Sequence, residues 1–175
     1  MVLRQASPSE LHVAVAIDDD ASELYASAGI VLRFPEGHPF VLGERARWKR
    51  CAEAGGLWFA VEAGVVAGFA ALEALDGVTH LEQLSVRRDL GRHGIGGTLL
   101  RKALEHAPLT LTTYAHVPWN APWYERNGFV RLAEHEWTPG LRARMVEERA
   151  ALPFPEQRVA MKGPLSATPG ASAVV

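Results

Sequence analysis

Between a strand-like run, Val78 to Val86, and an amphipathic helix beginning at about Ile95, the chain reads Gly91-Arg92-His93-Gly94-Ile95-Gly96-Gly97-Thr98. Glycine costs a helix about 1 kcal/mol relative to alanine, so Gly94, Gly96 and Gly97 at a helix start need an offsetting reason. Close approach of the backbone to a ligand supplies it. The first helical turn carries N–H groups without intrahelical partners and a partial positive charge, so strand, glycine loop and helix together form an anion site. A phosphate-bearing ligand is expected there.

Position separates the known kinds of phosphate loop. A triphosphate loop requires lysine ahead of Thr98, where this chain has Gly97. A dinucleotide fingerprint starting at Gly94 places Leu99 at its third required glycine, and the glycines lie far from the first strand. Both readings fail. What remains is a short loop of the form Gln/Arg-x-x-Gly-x-Gly/Ala, preceded by Leu84-Ser85-Val86 and followed by Leu99-Leu100. In this it resembles the GCN5-related N-acetyltransferases (GNAT). A second segment, Pro118-Trp119-Asn120-Ala121-Pro122-Trp123-Tyr124-Glu125-Arg126-Asn127-Gly128-Phe129, is similar to that family's late motif of Asn, Tyr and Gly-Phe. Gly91 stands where the family usually has glutamine or arginine. Main-chain amides do most of the gripping of a pyrophosphate, and Arg92 beside Gly91 adds charge.

The resemblance implies an α/β (α+β) fold. It has a mixed, mostly antiparallel sheet of about six or seven strands flanked by helices, with a parallel splayed strand pair forming an acyl-CoA cleft. It implies acetyl-CoA as co-substrate, with Leu84, Ser85 and Val86 pairing with the pantetheine arm. Gly91, Arg92, His93, Gly94, Ile95, Gly96, Gly97 and Thr98 hold the pyrophosphate, and Asn120 orients the cofactor or caps its helix. A non-catalytic acyl-CoA-binding or sensing module of the same fold is the alternative.

At 175 residues the chain suffices for one domain with a core, read as residues 1–163 followed by a loose tail, 164–175. Hydrophobic content of 48% and charged content of 22% belong to a soluble globular protein, read as cytoplasmic. A net charge of −2 gives no broad attraction to nucleic acid. No apolar run approaches a membrane span. The single cysteine, Cys51, forms no internal disulfide and fits a reducing compartment. Seven histidines show no metal-ligand spacing, so no metal is expected.

Along the chain, Val2–Gln5 reads as a strand, and Ser7-Pro8-Ser9-Glu10 opens a helix that extends through Ile17. A second helical piece follows around Ala21–Ala28; the acidic run Asp18-Asp19-Asp20 between them reads as a solvated helix junction, with attraction of a cationic substrate as the alternative. Gly29–Gly43 reads as a loop with apolar residues from Phe34 to Val41 that suit a homodimer contact, and Gly43–Ala54 as a helix. Two hairpin turns link strands Leu57–Val61, Val65–Leu75 and Val78–Val86. Leu109–Ala115 follows the central helix as a parallel strand. A short helix from Asn120, a strand Phe129–Ala133, a helix Pro139–Ala151 and a strand Arg158–Lys162 complete the domain.

Acetyl transfer to an amine needs a neutral nucleophile, a proton for the departing thiolate and stabilisation of an oxyanion. With no Gly-x-Ser-x-Gly elbow, direct attack on the thioester is the simpler route. Glu82 is the candidate base, sharing a face with Leu84 and Val86 under strict alternation. A strand glutamate paired with a nearby arginine is the competing reading, and His80 is a further candidate. Tyr124, in the family's acid position, is the candidate acid; an unperturbed phenol with a pKa of about 10 is protonated at neutral pH. A donor near Ser85–Val86, freed by a bulge or by strand divergence, serves the oxyanion. Trp119, Trp123 and His116 are candidate acceptor contacts. The acceptor is a small-molecule or peptide amine, and no side-chain pattern between Ser7 and Gly55 identifies it.

Overall fold

In a computed structural model describing residues 1–165, a sheet of seven strands runs in the order β1-β2-β3-β4-β5-β7-β6. The strands are β1 (Val2–Gln5), β2 (Leu57–Glu62), β3 (Val65–Leu75), β4 (Val78–Val86), β5 (Leu109–Tyr114), β6 (Val130–Arg131) and β7 (Arg158–Lys162). The helices are α1 (Leu11–Ser22), α2 (Pro39–Glu53), α3 (Ile95–Leu104), α4 (Ala121–Arg126) and α5 (Pro139–Ala151). All sheet pairs are antiparallel except β4 with β5, so the expected mixed sheet with one parallel pair is present. Most of the proposed tail lies outside the described residues.

Each face of the sheet carries its own core. Ile95, Leu99, Leu100 and Ala103 form one stripe of α3 and pack with Leu81, Leu84, Val86, Leu109 and Leu111 on one side. Gly68 lets β3 approach this helix, since a Cβ there would meet the Ser85 carbonyl at 2.7 Å and Leu99 Cδ1 at 3.2 Å. On the opposite face Ala14, Ile17, Trp48 and Cys51 from α1 and α2 cover Phe59, Phe69 and Ala71. Leu141 and Met145 of α5 cover Ala160 on β7.

Two helix bounds differ from the sequence reading. Helix α1 continues through Asp18, Asp19 and Asp20 to Ser22 before a 3-10 stretch, Glu23–Ala28. Helix α2 starts at Pro39: proline suits a first helical position, and the His38 ring accepts from the Phe40 amide at 3.3 Å. Gly43 is therefore inside the helix, where a Cβ would sit 3.4 Å from a Glu147 carboxylate oxygen.

The pairing that matters most to the site is brief. Strands β4 and β5 align only through Thr79↔Leu109, His80↔Thr110 and Leu81↔Leu111. Beyond Leu81 they diverge, while β4 stays paired to β3 as far as Gly68↔Val86. The β5-facing edge of Leu84, Ser85 and Val86 is thereby left open at the strands' C-terminal ends, as the splayed pair requires.

A cleft with two chambers

Strand β4 bulges at one residue. Ala71 pairs with Gln83 and Leu72 with Leu81, so Glu82 has no partner on β3. The bulge puts Glu82 and Gln83 on the same side of the sheet, which overturns the expectation that Glu82 shares a face with Leu84 and Val86. Those two pack toward α3. Glu82 instead faces α2 and α5, its side chain 3% exposed, where Arg47 Nε donates at 3.0 Å and Arg144 Nη1 donates to the other oxygen. Arg47 also reaches Glu147 at 3.1 Å, and Arg144 reaches Glu73 at 2.9 Å. His80 lies beneath, fully buried, with Nδ1 2.9 Å from Thr110 Oγ1; burial and then Arg144 push its imidazole down to about 4, so it is neutral.

The glycine loop has the expected form. Arg92 and Gly94 take left-handed backbone angles, φ 66° and 76°, and Gly94 caps α3. Across this segment the main-chain bonds run from Gly91 N–H to Arg88 C=O and then from Thr98 N–H to Gly94 C=O. Among the described residues, the amides of Arg92, His93, Gly94, Ile95, Gly96 and Gly97 make no main-chain bond. Gly91, Arg92, Gly94, Ile95, Gly96 and Gly97 line one cavity, and unpaired amides at a helix start favour an anion. Arg92 is exposed, with no carboxylate partner among the described residues. His93 Nδ1 turns back to the Leu90 carbonyl at 3.1 Å.

This loop forms one end of a cavity of about 670 Å³ whose wall continues through Leu84, Ser85 and Val86 to Trp119, Trp123 and Tyr124. A second cavity, about 640 Å³, opens on the α2 side and is lined by Phe34, Phe40, Glu44, Glu82 and Arg158 among others. The apolar residues Phe34, Phe40 and Val41 thus line a chamber. Asp18, Ser22, Tyr25, Gln83, Leu84, Asn120 and Tyr124 belong to both walls, so the two chambers meet there.

At that junction Asn120 does not cap α4 with its side chain. Its carbonyl accepts the Trp123 and Tyr124 amides at 2.8 and 3.0 Å, while its side-chain amide donates to the Tyr25 hydroxyl at 2.9 Å. The Tyr124 phenol, pushed up from its ordinary value by burial, has no hydrogen-bond partner among the described residues and faces the chambers. Tyr25 was invisible to the sequence reading; it is brought in by the stretch after α1, and its phenol is likewise pushed up by burial. Asp18 is no solvated junction residue: its Oδ1 accepts from Ser85 Oγ at 2.7 Å and Gln83 Nε2 at 2.6 Å, and burial raises its carboxyl to about 6. His116 lines neither chamber and packs on Tyr114 and Phe154.

Chemically, one chamber offers unpaired amides and an open strand edge, the other a polar wall, and a phenol stands between them. No helix among the described residues is long and apolar enough to cross a membrane, and none of their His, Cys, Asp and Glu side chains group as a metal site.

Residues 10–129 match the Acetyltransferase (GNAT) family. The fold is similar to that of N-acetylglutamate synthase from Neisseria gonorrhoeae complexed with coenzyme A and N-acetyl-glutamate, at 17% identity and TM-score 0.60, covering 94% of this chain and 35% of that one. The chain therefore spans about a third of that synthase's length. It is also similar to the PaiA N-acetyltransferase of Thermoplasma acidophilum in complex with coenzyme A, at 17% identity and TM-score 0.59, covering 93% of this chain and 97% of that one. The ribosomal-protein-S18-alanine N-acetyltransferase of Escherichia coli matches at 19% identity and TM-score 0.59, with 99% of both chains covered.

Proposed function

The chain belongs to the acetyltransferase (GNAT) family, and from that premise we propose that it moves an acetyl group from acetyl-CoA to a primary amine, on a small molecule or a peptide, by direct attack within a ternary complex. The observation that carries this reading is the meeting of two chambers at Tyr124, Asn120 and Leu84. A module that only senses acyl-CoA has no use for the second chamber.

In the proposed arrangement the amides from Arg92 to Gly97 receive the pyrophosphate and Arg92 adds charge, with His93 and Thr98 shaping the loop. The open edge of Leu84–Val86 pairs with the pantetheine amides as an added strand would. This leads the thioester toward the junction, where an amine entering from the second chamber meets it. Tyr124 is suited to donate a proton to the departing sulfur, because its phenol is protonated and has no competing acceptor among the described residues. Glu82 is proposed as the anion toward which the proton of the attacking amine is drawn through water. Arg47 and Arg144 hold its carboxylate from both oxygens. Asn120 and Tyr25, bonded to each other, hold the junction open.

Replacing Tyr124 by phenylalanine tests the assignment. General acid catalysis contributes about 10²–10⁴-fold, so Tyr124→Phe is expected to lower kcat by roughly 10²-fold with the acetyl-CoA dissociation constant unchanged. Thiol release against a panel of amines gives the first quantity and calorimetry the second. Unchanged turnover would remove Tyr124 from the reaction.

A further inference from the structure

The second chamber differs from the first in its electrostatics. Of its arginines, Arg158 is held by Glu148 at 2.6 Å and Arg45 lies 3.7 Å from Asp19, while Glu82 is matched by Arg47 and Arg144. Among the described residues this leaves Asp18, Glu23, Glu36 and Glu44 of the wall without a cationic partner, against the guanidinium of Arg33. The carboxylates divide by depth. Asp18 and Glu44 are half-buried, whereas Glu23, Glu36 and Arg33 are exposed at the chamber's rim.

Glu44 is the unusual one. It projects from α2 into the chamber, and among the described residues its carboxyl makes no hydrogen bond or ion pair. The charged groups around it come from every packed element: Asp18 of α1, Arg47 of its own helix, Glu148 of α5 and Arg158 of β7. Burial first, and then Asp18, raises its carboxyl to about 8, so it is largely neutral at pH 7. An unpartnered buried carboxyl costs free energy unless a cation arrives to satisfy it. The deep cations, Arg47 and Arg158, are both already matched, so an acceptor bearing a carboxylate next to its amine would find no free counter-charge there.

Resting on the transferase reading above, we propose that the acceptor is a cationic diamine or polyamine, its entering ammonium received by Glu44 and Asp18 before its proton is drawn toward Glu82, while a second positive group lies against Glu23 and Glu36 at the rim. An amino acid or an acidic peptide is disfavoured by the same walls.

The test is calorimetric titration of 1,4-diaminobutane into the full chain at pH 7, in two buffers of different ionisation enthalpy. The diamine is expected to bind at least tenfold more tightly than n-butylamine and to release protons, since Glu44 ionises as the ammonium reaches it. Glu44→Gln is expected to abolish both the tenfold preference and the proton release. The wild-type proton release stands as an independent readout should that variant fold poorly. Thiol-release rates with acetyl-CoA are expected to follow the same order. Equal binding of n-butylamine, tighter binding of glutamate, or a preference surviving in Glu44→Gln would overturn the proposal. Diamine preference without any uptake of acetyl-CoA would leave the chamber assignment standing and overturn the transferase reading beneath it.

Discussion

A buried carboxyl that serves a ligand weakens the fold that carries it, and Asp18 makes this measurable. Its ordinary pKa of 3.8 rises to about 6 in the folded chain, chiefly through burial, against the hydrogen bonds from Ser85 and Gln83. The folded state thus binds the proton more tightly than the unfolded one. Below about pH 4 the carboxyl is neutral in both states and costs nothing; as pH rises through 6 the folded state must hold a charge that the unfolded chain solvates freely. Asp18→Asn keeps an oxygen to accept from Ser85 and Gln83 and removes that charge. The variant is expected to be more stable than wild type at pH 8 by on the order of 2 kcal/mol, and to match it near pH 4. Thermal melts at the two pH values read this as a gain of roughly 4–8 °C confined to the higher pH. A gain independent of pH would mean that the charge is not its source.

The secondary elements were largely legible because their signals are local. Pro39 apart, helix and strand starts follow Pro, Gly and hydrophobic periodicity, and β1, β4, α5 and β7 lie where those signals place them. The bulge at Glu82 was not legible, since alternation within β4 is intact and the extra residue shows only against the register of β3. The chamber walls were equally hidden. Tyr25 meets Asn120 across 95 positions, and Asp18 meets Ser85 across 67, so neither pairing leaves a trace in its neighbours. The glycine loop and Tyr124, by contrast, sit in short motifs whose backbone demands are written in consecutive residues. Gly94 carries the strongest such demand, with φ 76° and nothing within 4 Å of where a Cβ would stand. Gly94→Ala therefore meets no clash and is opposed only by the left-handed backbone, at about 1–2 kcal/mol. The loop relieves that strain by leaving its left-handed angle, which reorients the Ile95 and Gly96 amides. Acetyl-CoA affinity is expected to fall roughly tenfold, more than the melting point alone accounts for, and calorimetry beside thermal denaturation separates the two. An affinity equal to wild type would show that these amides do not hold the cofactor.

At the scale of the whole molecule, the order of events follows from what surrounds the junction. A relay through an acetylated side chain requires a nucleophile within reach of both chambers, and the chain's one thiol is not there. Cys51 is packed with Trp48, Ala52 and Phe69 between α2 and the sheet, lines neither chamber, and is pushed up to about 12 by burial and then by Glu73. A thiol so raised is almost wholly protonated at pH 7 and a poor nucleophile. The chambers instead open side by side around Tyr124, and in the proposed reaction one holds the thioester while the other holds the amine, both being present when the carbonyl is attacked. Initial rates measured across a grid of acetyl-CoA and amine concentrations are therefore expected to give intersecting double-reciprocal lines. Incubation with acetyl-CoA alone is expected to leave the mass of the protein unchanged, and Cys51→Ala to retain turnover within about twofold. Parallel lines together with an acetylated protein would overturn direct transfer in favour of a covalent carrier.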